Sequence, residues 1–118
     1  MRNFEKLEVW QKAIDFADLG YAMTRAFPAE ERFGLTNRMR RAAVSISSNL
    51  AEGYSRSSEV DFGHFVAIAT GSVFEVVSQA FIGRGREFLD KPGFKTMYRA
   101  AEEQSRMLSG LRKALLSK

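Results

Sequence analysis

Arginine supplies the most suggestive chemistry in this sequence. Arg38, Arg41, Ser45 and Ser48 recur at three- and four-residue spacing, which on a helix sets them along one line away from the apolar positions, with Arg40 beside them. Guanidinium and hydroxyl groups so arranged can grip phosphates through charge and hydrogen bonds. The same arginines also suit structural work: Arg40 or Arg41 can pair with Glu52 or Glu75 and tie two helices, or two subunits, together. A second basic cluster is Gly83-Arg84-Gly85-Arg86. On a straight helix Arg84 would point toward the apolar stripe, whereas a bend would turn Arg84 and Arg86 outward as an exposed basic corner. The plainer reading is a solvated helix end, where the macrodipole favours cations. No strand precedes these glycines and a third is missing, so they do not form a dinucleotide loop.

The remaining reactive side chains are sparse. There is no cysteine, which removes disulfides, thiolate metal sites and cysteine nucleophiles, and there is one histidine. Asp61-x-x-His64 has the carboxylate–histidine spacing of di-iron bundles, but such a site needs a second histidine. No metal and no cofactor is therefore expected, and His64 reads as an interface or surface residue that can lend assembly a modest pH sensitivity. Gly71-Ser72 lacks the strand–turn–helix elbow of a serine nucleophile. Ser72 reads instead as a small packing residue, with Glu75 placed to receive an arginine. Without a matched acid, base and nucleophile the chain reads as non-enzymatic. Trp10, Tyr21 and Phe27 read as core aromatics rather than base-stacking platforms, and no exposed aromatic interleaved with arginine is evident.

These residues must be positioned by helices. The sequence has 118 residues, 45% of them hydrophobic and 27% charged, with two prolines and a formal charge of +4. That suits one domain spanning residues 1–118, and the mild positive excess permits a polyanionic partner without demanding one. No run of consecutive apolar residues approaches the roughly 18 that span a bilayer, and the N-terminus lacks an apolar leader core. A cytoplasmic protein with no membrane partner is the expectation.

Pro28, Pro92, Gly34, Gly53 and Gly93 divide the chain into four long pieces, about 4–27, 35–52, 58–89 and 94–117. Leu7, Trp10, Ile14, Ala17 and Tyr21 form a helical stripe on the first, and Leu35, Met39, Ala42, Ile46 and Leu50 on the second. Gly53 suits that helix's C-terminal end. Ser58 and Asp61 have capping-box spacing ahead of the third stripe, Phe62 to Ala80. The fourth runs through Phe94, Met97, Tyr98, Ala101, Leu108, Leu111 and Leu115. Short connections between four amphipathic helices predict an all-α, antiparallel up-down-up-down bundle, a rod about 30 to 45 Å long. A second apolar line on the first helix, Val9, Phe16 and Met23, joins Val44, Ser47 and Ala51 on the second. Together they predict a patch that self-association would cover.

Several short motifs occur in a telling order: Leu7-Glu8-Val9-Trp10-Gln11-Lys12-Ala13, Phe33-Gly34-Leu35, Arg40-Arg41-Ala42-Ala43-Val44-Ser45-Ile46, Ser48-Asn49, Ala51-Glu52-Gly53, then Arg56, Gly71-Ser72 and Glu75. In this order the chain resembles the four-helix bundle proteins named after the intervening sequences of bacterial 23S ribosomal RNA genes. The resemblance implies a bundle that assembles into a ring of five subunits and has no established catalytic activity. A similar bundle serves as the accessory protein of diversity-generating retroelements, working with a reverse transcriptase and nucleic acid. The expectation is thus a homo-oligomeric, pentameric scaffold that binds RNA or DNA through Arg38, Arg40, Arg41, Arg84 and Arg86. Arg41, Glu52, Glu75, Ser72 and His64 would form its polar network or interface. The alternative is a module for a protein partner, such as a reverse transcriptase, with no nucleic-acid binding of its own.

Overall fold

The structure, a computed structural model, describes residues 3–117. Four α-helices fill it: α1 Glu8–Thr24, α2 Leu35–Tyr54, α3 Glu59–Gly85 and α4 Lys91–Leu116, with 3-10 turns at Asn3–Lys6 and Ala29–Glu31. Each helix packs on the next, and α1 closes onto α4, contacts that describe an up-down-up-down path. The rod measures 45 × 22 × 20 Å.

Local chemistry sets the boundaries. Glu31 Oε1 accepts from the Leu35 N–H at 3.0 Å, satisfying one of the orphan donors at the start of α2. Ser58 Oγ accepts from the Asp61 N–H at 3.0 Å, as the spacing predicts. Asp90 Oδ1 accepts from the Gly93 N–H at 2.8 Å, so Pro92 and Gly93 lie inside the first turn of α4 rather than ahead of it. The third helix does not bend at its glycines. It continues to Gly85, and the chain turns at Glu87, whose φ of 65° is left-handed. The Phe88 N–H then donates back to the Gly83 carbonyl at 2.9 Å, which closes the helix end.

Met39, Ile46 and Leu50 of α2 face Val66, Val73 and Val76 of α3 and Met97 and Leu108 of α4, all buried. On α1 the buried face differs from the expected one. Val9, Ala13, Phe16, Gly20 and Thr24 point inward, whereas Ile14 and Tyr21 are exposed and Leu7, Trp10 and Ala17 are half-buried. The reason is close approach: a Cβ on Gly20 would lie 3.4 Å from that of Ala43, so small residues line the seam. Val9 and Phe16, and Ser47 on α2, therefore belong to the interior of this chain and not to an external patch. Gln104, almost wholly buried, donates from Nε2 to the Val9 carbonyl at 3.2 Å and ties α4 to α1.

α3 is apolar on both sides. Its inward stripe is core, yet Val60, Ile68, Phe74, Phe81 and Ile82 are exposed. By length and composition alone it is apolar enough to cross a membrane, with a mean hydropathy of 1.7 over 18 residues, although it holds no consecutive apolar run of that length. Isolated residues such as Glu75 and Gln79 break the run without lowering its average much.

Gly53 sits within α2 rather than capping it. A Cβ there would fall 2.7 Å from Phe65 Cβ and 2.9 Å from Phe62 Cδ1. Gly53→Ala should therefore cost about 1–3 kcal/mol, read as a lower denaturant midpoint at unchanged slope.

Candidate nucleic-acid interface

The up-down path brings the C-terminal ends of α1 and α3 beside the N-terminal ends of α2 and α4. Phe27 shows this directly: its ring packs 5.7 Å from that of Phe88 and lies 3.2 Å from where a Gly83 Cβ would stand. The two basic clusters, distant in sequence, thus share one end of the rod. Residues 20–45 and 80–95 hold nine Lys and Arg against four Asp and Glu, whereas the rest of the chain holds nine against ten. The whole positive excess is gathered at this end.

Two adjoining grooves open there. One, of about 520 Å³ between α1 and α2, is lined by Tyr21, Arg32, Phe33, Thr36, Arg40 and Val44. The other, of about 380 Å³ between α2 and α3, is lined by Arg38, Ala42, Ser72 and Glu75. Phe33, Asn37, Arg41 and Ser45 border both. Arg38 and Arg41 are exposed on the predicted line of α2, and Arg84 and Arg86 are exposed at the end of α3. Gly83 occupies the core position beside Phe27, which leaves Arg84 turned away from the stripe it was expected to face.

Arg40 has a different role. Its Nε–H donates to Thr24 Oγ1 at 2.8 Å, and its guanidinium lies 4.6 Å from the centre of the Tyr21 ring. Thr24 in turn donates to the Gly20 carbonyl at 2.8 Å. Arg40 thereby fastens α2 to the end of α1.

The predicted polar network forms only in part. Ser45 and Ser72 hydroxyls meet at 2.9 Å across α2 and α3, and Asn49 Nδ2 donates to Ser45 Oγ at 2.9 Å. The expected pairing of Arg40 or Arg41 with Glu52 or Glu75 does not occur. Glu52 pairs with Arg56 at 3.0 Å, and it lies eleven residues along α2 from Arg41, about 16 Å at 1.5 Å per residue. Glu75 accepts instead from Gln79 Nε2 at 3.3 Å. Among the described residues no carboxylate lies within 4.0 Å of Arg38, Arg41, Arg84 or Arg86. His64 is exposed on the outer side of α3, and no three His, Asp or Glu residues among those described gather as a ligand set.

The aromatics also depart from expectation. Phe27 is core and Trp10, half-buried with its ring edge-on to Phe4, packs against the core, but Tyr21 is exposed beneath Arg40. Phe33, which periodicity passes over because it stands in a turn, is 86% exposed between Arg32 and the groove arginines. Exposed aromatics interleaved with arginine are therefore present. The signal for Phe33 in the sequence was its place beside Arg32 and Gly34, outside every helical stripe.

The model of the family described as 23S rRNA-intervening sequence protein matches residues 5–110. The chain belongs to this family. It is also similar to a crystal structure of a protein of unknown function from the S23 ribosomal protein family of Bacteroides thetaiotaomicron. That likeness has a TM-score of 0.80 at 19% identity and covers 89% of this chain and 98% of the other, which shows a shared fold. Curated proteins yield no match. For this member of the 23S rRNA-intervening sequence family, the contacts separate two kinds of arginine. Arg40→Ala should cost about 1–2 kcal/mol by removing a hydrogen bond and a ring contact, whereas Arg38→Ala should stay within about 0.5 kcal/mol in the same thermal melt.

Proposed function

We propose that the protein is a non-catalytic homo-oligomeric scaffold, a ring of five as the family resemblance implies, that binds RNA or DNA by phosphate contacts at its basic end. The observation that carries this reading is the set of exposed arginines without carboxylate partners at one end of the rod. A cation already engaged by a carboxylate has little to offer a phosphate, whereas these four are free to displace condensed counterions from a polyanion. Five copies of a +4 chain carry a formal +20, and repeated weak sites on one assembly add avidity.

Self-association rests on the outer face of α3. A helix that presents several large apolar side chains to solvent as well as to the core carries a patch that association would cover. Ile68 is 52% and Phe74 62% exposed, and Phe81 continues the face into a cluster with Phe94 and Tyr98, with ring centres 4.8 Å and 6.2 Å away. This surface replaces the α1 line as the association patch. A second reading, a protein partner such as a reverse transcriptase, is favoured by the groove of about 260 Å³ between α3 and α4, where Val73, Phe74, Val77 and Tyr98 are bordered by Glu102 and Arg106.

Ile68→Glu with Phe74→Glu should give a smaller species in sedimentation velocity at unchanged helical circular dichroism; an unchanged sedimentation coefficient excludes this face. Arg38→Ala with Arg41→Ala should reduce the slope of log affinity against log salt by roughly 1.4 on single strands and 1.8 on duplex for each chain in contact. An unaltered slope would remove these arginines from the interface, and binding that vanishes at physiological salt would favour the protein partner.

A further inference from the structure

We propose that Phe33 is a stacking platform for an unpaired base, so that the nucleic acid recognised at the basic end is single-stranded; this rests on the nucleic-acid reading above. Among the described residues, Phe33 has the greatest fractional exposure of the large exposed hydrophobic side chains. Its turn is well fixed. The Glu31, Arg32 and Gly34 N–H groups donate to the carbonyls of Pro28, Ala29 and Glu31 at 2.9, 3.1 and 2.9 Å, and the Glu31 carboxylate holds the first turn of α2. The ring is therefore presented to solvent from an ordered backbone, so stacking would have to order the side chain but not the turn.

Its surroundings specify the ligand. Phe33 stands on the ridge shared by the two grooves, with Arg32 and Arg40 lining one, Arg38 the other, and Arg41 both. The Arg32 guanidinium lies 5.8 Å from its ring centre. A matching ligand needs a flat π face for the ring and anionic groups on either side of it for the arginines. An unpaired nucleotide within a strand supplies both, whereas a duplex keeps its base faces inside its own stack. A second copy of this chain seated on Phe33 is the competing occupant, and it would supply the apolar contact without the anionic groups that the flanking arginines call for.

The test is fluorescence anisotropy at low salt with a labelled oligodeoxythymidylate and a labelled duplex of equal length. Phe33→Ala should weaken single-strand binding roughly five- to a hundredfold, the range expected for one lost stack, and change duplex binding less than about twofold. Phe33→Leu should behave like Phe33→Ala, and Phe33→Trp should retain binding. The salt slope on either probe should stay the same for all three. Equal losses on both probes, unimpaired single-strand binding by Phe33→Ala, or a leucine as good as the native ring would overturn stacking. So would a smaller sedimenting species for Phe33→Ala, which would make the ring a subunit contact. If the unmodified protein binds both probes and Phe33 is indifferent, only stacking fails. If it binds neither, the nucleic-acid reading falls as well.

Discussion

α3 carries large apolar side chains on its solvent side as well as its core side, and the burial of the core-side stripe organises the chain. Val66, Ala69, Val73, Val76 and Ala80 form the wall against which α2 and α4 pack. Burying a Val-sized side chain contributes about 1.5–3 kcal/mol, so this stripe outweighs any single polar contact in the molecule. The other half of the circumference has no such cover within the chain. The proposed self-association is thus tied to the same helix that makes the core.

The polar contacts do narrower work. Arg40 with Thr24, Ser45 with Ser72, and Gln104 with the Val9 carbonyl each join neighbouring helices at a defined height. A hydrophobic stripe alone permits sliding, whereas a buried donor must meet its acceptor. These bonds fix where the turns between helices fall, and hence where Phe33 and the arginines around it stand. The basic end is a product of register as much as of composition.

Much of this was legible in the residues. The stripe from Met39 to Leu50 announces α2, and Ser58 with Asp61 announces the start of α3, because period and capping chemistry are local. The face of α1 was not. Weight of hydrophobicity favours Ile14 and Tyr21, but helices that approach closely select Ala13 and Gly20, and that distance is not local information. Phe33 escaped periodicity because a turn has none. The partner of Arg40 escaped because Thr24 lies sixteen residues earlier, across a reversal of the chain. Arg84 and Arg86 were found as a cluster, yet their company with Arg38 and Arg41 follows only from the topology. The pairing expected for Glu52 failed for a simple reason of length along one helix.

The uneven placement of charge gives the rod a vector along its 45 Å axis. Copies related by simple rotation about a parallel axis must all point the same way, so a closed cycle of them becomes a disc with one cationic rim and one nearly neutral rim. Such a disc has a front and a back. In the proposed ring, a strand laid on the front would pass from one copy to the next without leaving the field, and the back would be left to neighbours of quite different chemistry.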